Sequence, residues 1–254
     1  MPTPGKVALV TGAAQRIGRA IAADLAANGY AVAIHYRRSR EPAEALAGEI
    51  RAAGGRAATV AGDLADLGTV AAIMTEAGAA LGPVTLLVNN ASLFENDEIG
   101  ALDLALWQAH MAVNLTAPCL LAEALAAQLP DGAEGNVINL IDQRVWKLTP
   151  QFFSYTLSKA ALWQATKTMA QALAPRIRVN AIGPGPTLAN ERQSADDFRK
   201  QTDAVLLQRG PTLAEFGRTV RFILEAPSMT GQMIALDGGQ HLAWETPDVA
   251  GIVE

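Results

Sequence analysis

The sequence predicts one doubly wound α/β domain built on a mostly parallel sheet of seven strands. Short apolar runs alternate with longer alanine-rich stretches along the chain. The runs are nearly continuous rather than alternating, the pattern of strands buried on both faces of a parallel sheet. No low-complexity linker divides the 254 residues, a length that one α/β domain can fill.

The strands are expected at 6–10, 30–35, 56–61, 84–89, 136–141, 178–182 and 232–236, with helices between them at 16–27, 41–53, 67–81 and 153–174. Repeated β-α-β order implies right-handed crossovers. Ligands of such sheets bind at the carboxyl ends of the strands, where strand order reverses, so chemistry is sought just after each strand. One long irregular zone, 183–209, begins Gly183-Pro184-Gly185-Pro186 at that edge and reads as a substrate lid. The tail 245–254 reads as peripheral or as an arm toward a neighbouring subunit.

Composition excludes several function classes. Half the residues are hydrophobic, enough for one large core. With 20 basic against 25 acidic residues and a net charge of −5, no nucleic-acid footprint is present. The first apolar run, 7–10, is broken by Thr11-Gly12 and is too short for a signal core or a membrane span. Cys119, the single cysteine, sits in an apolar Pro118-Cys119-Leu120-Leu121 setting and cannot close an internal disulfide; a cytoplasmic location is expected. His110 and His241 are isolated and read as structural, and no metal-ligand spacing occurs.

The first strand runs into Thr11-Gly12-Ala13-Ala14-Gln15-Arg16-Ile17-Gly18 and then a helix. Small residues let the backbone approach a pyrophosphate, and the helix N-terminus offers free N–H groups and a favourable dipole. By itself such a turn can be a plain tight turn. The second strand ends in His35-Tyr36-Arg37-Arg38-Ser39, with no acid before Glu41. An acid there would bind a ribose 2′-hydroxyl; two arginines and a hydroxyl suit a 2′-phosphate instead.

The Thr-Gly-x-x-x-Gly-x-Gly spacing, with Arg16 at the middle glycine, resembles the short-chain dehydrogenase/reductase family. The resemblance spans about 6–244 and implies a single Rossmann-type domain that binds a nicotinamide dinucleotide, for which the basic end of the second strand favours NADP(H). Arg16 would place charge near the cofactor phosphates. The resemblance assigns Gly12, Ile17 and Gly18 to the phosphate turn, Asp63 and Leu64 to the adenine, and Asn90, Ala91 and Ser92 to the edge of the fourth strand. Pro184, Gly185 and Thr187 fall where the family holds the nicotinamide amide.

Tyr155 and Lys159 lie four residues apart at the start of a predicted helix, hence on one face. A lysine beneath a tyrosine favours the phenolate and should lower its pKa. In the family the tyrosine is the general acid for reduction and the lysine also binds the nicotinamide ribose; Asn114 matches a residue that holds a water beside the lysine. The family's serine, thirteen positions before the tyrosine, is replaced by Asp142. A carboxylate there should repel a phenolate and raise the pKa of one or both groups. Ser154 lies on the wrong element to replace the serine.

Arg16, His35-Tyr36 with Ser39, Ser92 followed by Phe94, and Asp142 with Tyr155 together resemble the pteridine reductase and dihydromonapterin reductase subgroup. That resemblance implies a flat pterin stacked on Phe94, with Arg16, Ser92, Asp142 and Tyr155 also touching the substrate. Asp142, Tyr155 and solvent would manage the proton to a C=N nitrogen, and Arg144 and Trp146 would border the substrate. It also implies a homotetramer, in which the 153–174 helix packs on its counterpart. Two other readings remain open: an NADPH-dependent reductase of oxoacyl, ketone or sugar carbonyls, and a non-catalytic NADPH-binding sensor or scaffold.

Overall fold

The computed structural model describes residues 5–190, 192–246 and 248–251. Seven strands form one all-parallel sheet: β1 Val7–Val10, β2 Ala31–Tyr36, β3 Ala57–Ala61, β4 Leu86–Asn89, β5 Gly135–Leu140, β6 Ile177–Pro184 and β7 Met233–Leu236. Their order is β3-β2-β1-β4-β5-β6-β7. The chain therefore winds outward from β1 to one edge, returns to β4 on the other side of β1, and winds out to the opposite edge. The reversal between β1 and β4 opens a crevice at their carboxyl ends.

Helices α1 Arg16–Ala27, α2 Arg40–Ala52 and α8 Leu213–Glu225 cover one face of the sheet. Helices α3 Val70–Leu81 and α5 Ala117–Gln128 cover the other, and α6 Phe153–Leu173 packs on β6. The two-residue period of a strand sorts β1 between these layers. Val7 and Leu9 join Met74, Leu121 and Leu125, whereas Ala8 and Val10 join Ile21, Leu25, Leu46 and Phe216. Both faces being buried explains why the strands read as continuous apolar runs.

Helix α4 Leu104–Met111 continues through a π turn, Ala112–Thr116, into α5. The segment Leu104–Gln128 is long and apolar enough, by length and composition alone, to cross a membrane. Here it is a core helix: Leu121 and Leu125 pack in the domain, and His110 and Asn114 are fully buried with hydrogen-bond partners inside it.

A buried polar chain fixes α6 on the sheet. Asn89 Nδ2 donates to Asn139 Oδ1 at 2.9 Å, and Asn139 Nδ2 donates to Thr166 Oγ1 at 2.9 Å. Such groups are costly without partners, so they define the position of the helix as well as binding it.

Three departures from the sequence expectation bear on the edge of the sheet where the site lies. Strand β6 runs on to Pro184 because its register with β7 continues through Gly183↔Ala235 and Pro184↔Leu236. Helix α3 starts at Val70, since Asp63 to Thr69 are held in turns; Asp63 Oδ1 accepts from Ala65 N at 3.0 Å. The zone 183–209 contains a regular helix, α7 Ala195–Asp203. Its cap was legible: Ser194 Oγ accepts from Asp197 N, with Asp196 and Asp197 in the first turn. Glu191 of that zone, and Pro247 and 252–254 of the tail, lie outside the described residues.

Candidate active site

The phosphate turn is held from three sides. Gly12 adopts φ +61°, a conformation natural to glycine. Its N–H donates to His35 Nδ1 at 3.1 Å, and His35 Nε2 lies 3.2 Å from the Gly62 carbonyl. The first bond makes Nδ1 the acceptor, so Nε2 carries the proton and donates. Burial lowers the His35 pKa to about 4, which keeps the ring neutral. His35 thus positions the turn from behind. Across the crevice, Thr11 Oγ1 accepts from the Asn90 and Ala91 N–H groups at 2.9 and 3.0 Å, and Asn90 Nδ2 returns a bond to Thr11 O at 2.8 Å.

Arg16 stands at φ +53° where the family pattern has glycine, a backbone region that side chains rarely occupy. Its guanidinium donates to the Leu188 and Ala189 carbonyls at 3.2 and 3.0 Å. The expected charge beside a phosphate is therefore directed here toward the zone after β6, which it ties to the turn.

A cleft of about 440 Å³ opens above this edge. Gly12, Arg16, Ile17, Gly18, His35, Tyr36, Arg37, Arg38, Ser39, Asp63, Leu64, Asn90, Ala91 and Ser92 all line it. The residues fit a dinucleotide. Gln15 gives α1 no side-chain cap and the first turn has no acid, so the helix N-terminus faces the cleft uncompensated. A Cβ on Gly18 would lie 2.5 Å from both Asn90 Nδ2 and Gly12 O. Arg37 and Arg38 are exposed at the far end, the place a 2′-phosphate requires.

A second cleft of about 560 Å³ meets the first at Arg16 and Ile17. Phe94, Asp142, Arg144, Pro184, Gly185 and Thr187 are among its walls. Thr187 Oγ1 donates to Gly185 O at 3.0 Å, which leaves the Thr187 hydroxyl oxygen able to accept. A Cβ on Gly185 would stand 2.6 Å from Asp237 Cα, so only glycine lets the chain turn there.

Asp142, in the wall of the second cleft, joins two buried groups, Tyr155 and Lys159, that line neither cleft. Tyr155 OH donates to Asp142 Oδ2 at 2.8 Å, and Asp142 Oδ1 accepts from Arg144 N at 2.8 Å. Lys159 Nζ donates to Leu140 O at 2.8 Å and is almost wholly buried. Desolvation raises the Asp142 pKa, against the opposing pull of those two hydrogen bonds and of the Arg144 and Lys159 charges. Desolvation and the adjacent carboxylate hold Tyr155 well above its ordinary value. Burial brings Lys159 down to about 8, with Asp142 resisting. Of the two opposing expectations, the lowering by Lys159 is overturned and the raising by the Asp142 carboxylate holds: the Lys159 charge acts on Asp142, and the phenol keeps its proton.

Asn114 sits in the π turn, an irregularity that turns its amide out of the regular ladder. Its Oδ1 accepts from Leu93 N at 2.8 Å and Ser92 Oγ at 3.2 Å, and its Nδ2 donates to Leu93 O and Ser158 Oγ. In this geometry Asn114 braces the strand-four edge against α6.

The sequence reading missed what holds α6 at its start. Phe152 N donates to Asn96 Oδ1, Phe153 N to Asp97 O, and Ser154 N to Asp97 Oδ1 at 2.9 Å. These bonds occupy N–H groups that no side chain at the helix's own N-cap reaches. Glu95 N donates to His110 Nε2 at 3.3 Å, which leaves the Nδ1 proton to donate to Ser154 Oγ at 2.6 Å. Ser154 therefore belongs to this brace. Also missed was Phe152, whose ring stacks on Phe94 at 4.3 Å and 8°, while Tyr155 meets Phe94 edge-on at 4.6 Å. A third omission was Arg192, paired with Glu95 and donating to Phe94 O at 2.8 Å. Among the described residues no group of three or more His, Cys, Asp or Glu is placed to hold a metal ion.

Comparison with known proteins places this architecture. The family model for short chain dehydrogenases matches residues 6–200. The chain belongs to the short chain dehydrogenase family. Within it, the solved structure of FolM alternative dihydrofolate reductase 1 from Brucella suis, in complex with NADP, is 60% identical to this chain. It superposes with a TM-score of 0.94 over 96% of this chain and 98% of that one. A blue fluorescent protein from a metagenomic library, in complex with NADPH, is 33% identical with a TM-score of 0.85, covering 93% and 98%. The 3-oxoacyl-[acyl-carrier-protein] reductase of Synechocystis sp. is 32% identical over 92% of this chain and 96% of its own length.

Proposed function

We propose that this family member is an NADPH-dependent reductase of a pteridine C=N bond. The observation that carries the reading is the Tyr155–Asp142 hydrogen bond beside the Phe94 ring. The 60% identity to a dihydrofolate reductase solved with NADP supports it. Gly12, Gly18 and the α1 N-terminus would receive the pyrophosphate, and Arg37, Arg38 and Ser39 the 2′-phosphate. NADPH, when bound, supplies a hydride to the substrate carbon.

The chain's own residues then manage one proton. Reduction of C=N leaves nitrogen needing a proton, and Tyr155 OH holds one that its raised pKa keeps in place at neutral pH. Asp142, its pKa also raised, is suited to passing that proton between Tyr155, the substrate nitrogen and solvent. Lys159 balances the charge on Asp142 from below. Phe94 and Phe152, stacked on each other, form an aromatic wall of the second cleft for a flat ring, with Arg16 beside them and Ser92 on the first cleft.

The test is loss of NADPH absorbance with dihydrobiopterin, dihydrofolate, an oxoacyl thioester and a quinone. Turnover of the pteridines is expected. Turnover confined to the thioester would replace this reading with the carbonyl reductase, and binding of NADPH without any turnover would replace it with the sensor. We further propose a homotetramer, checked by sedimentation, and a cytoplasmic location, consistent with the single half-buried free thiol, Cys119.

A further inference from the structure

We propose that Arg144 holds a carboxylate on the substrate's tail and so selects a dihydropteridine with an acidic tail over an unconjugated one. The inference rests on the pteridine reading and adds a determinant that the reaction itself does not need. The mouth of the second cleft is built around the stacked pair Phe94 and Phe152. The Arg144 guanidinium lies 5.2 Å from the Phe152 ring centre, and the Arg192 guanidinium lies 5.5 Å from Phe94 and 5.8 Å from Phe152. An aromatic surface edged by two cations suits an arylamide that ends in carboxylates.

The two arginines are not equivalent. Arg192 already forms an ion pair with Glu95 at 2.5 Å. Arg144 has no ion-pair partner among the described residues: Nη1 donates to Thr149 Oγ1, and its buried Nε–H has no acceptor at all. The orphaned Nε–H is itself too buried to meet a ligand; it is the guanidinium's outer nitrogens, in a planar fork that fits a carboxylate, that would. Asp142 bonds the Arg144 backbone N–H, and the guanidinium charge is felt at that carboxylate without an ion pair between them. Phe152, at φ +56°, is strained into the position that packs its ring beside that guanidinium.

The test compares dihydrofolate, which carries a glutamate tail, with dihydrobiopterin, which has no carboxylate, in wild type and in Arg144→Gln and Arg144→Lys. The Arg144 charge also reaches Asp142 and Tyr155, so a loss common to both substrates is discounted and the ratio of the two kcat/KM values is read. Arg144→Gln should lower the dihydrofolate-to-dihydrobiopterin ratio about 10- to 100-fold, the range of a charge-assisted contact. The loss should appear in the KM for dihydrofolate, as expected for binding made equally in ground and transition states. Arg144→Lys should recover part of it. An unchanged ratio in Arg144→Gln overturns the assignment while leaving pteridine reduction intact. Wild type that reduces neither pteridine overturns both.

Discussion

Replacing Asp142 by Asn separates the two things its carboxyl does. Oδ2 accepts the Tyr155 hydroxyl proton and Oδ1 accepts the Arg144 N–H, each at 2.8 Å. An amide has one acceptor. If its oxygen keeps the Arg144 N–H, its NH₂ faces Tyr155 and the phenol must turn its proton elsewhere. Loss of a positioned acid–base group costs about 10²–10⁴ in rate, so kcat on a pteridine should fall by that factor. Stability should move the other way. The Asp142 pKa is raised because desolvation outweighs two hydrogen bonds and two cations. A raised carboxyl pKa means that the folded state binds more protons than the unfolded one. Stability is full below the ordinary pKa of 3.8 and is lost as pH rises through the folded value. Wherever the group is ionised it is then a net cost to the fold, and Asn should be neutral or stabilising there. The assays are steady-state NADPH oxidation and thermal melts at pH 7.5 and pH 4. A variant that keeps pteridine turnover within about threefold of wild type refutes the proton relay. A variant several degrees less stable at pH 7.5 refutes the claim that desolvation dominates.

Three further outcomes follow from the same geometry. His35 has its pKa lowered from 6.5 to about 4, so the folded state binds fewer protons in that window and stability falls as pH drops through it; the drop is about 3 kcal/mol, and His35→Asn, which keeps an acceptor for Gly12 N, should flatten that part of a denaturation profile. Gly18→Ala forces a Cβ to 2.5 Å from the Gly12 carbonyl and should cost about 1–3 kcal/mol with weakened NADPH binding, whereas Gly48→Ala in α2 meets nothing within 4 Å and should stabilise by up to about 1 kcal/mol; chemical denaturation of the pair tests both. Removing both Arg37 and Arg38 should raise the KM for NADPH about 10-fold or more while leaving that for NADH nearly unchanged, and an equal rise for both cofactors would refute 2′-phosphate recognition.

Much of the fold was legible because its signals are local. The runs 7–10 and 86–88 are apolar at every position, since both faces of the sheet are covered, and that pattern needs no knowledge of the neighbours. The turn after β1, the basic end of β2 and the four-residue spacing of Tyr155 and Lys159 were readable in the same way, as short-range chemistry on one element. The replacement of serine by Asp142 was visible too, thirteen residues from its tyrosine. The repulsion that raises both pKa values followed from that adjacency; the larger cause, burial of both groups, is a property of the packed domain and outweighs the pull expected from Lys159.

The remainder belongs to tertiary structure, because it consists of contacts between residues far apart in the chain. Glu95 and Arg192 are separated by 97 positions, and Asp97 reaches across 57 to hold the start of α6. Phe94 and Phe152 come from different loops, and nothing near either one announces the other. Pairing of this kind is set by how the crossovers bring loops to one edge of the sheet. By itself, then, the sequence determined the architecture, the phosphate turn and the acid beside the tyrosine, since each is written in adjacent residues. The packed domain decided where Arg16 points, which groups the acid couples, and that Arg144 stands beside the aromatic pair with no ion-pair partner among the described residues, since those depend on distances only the folded chain defines.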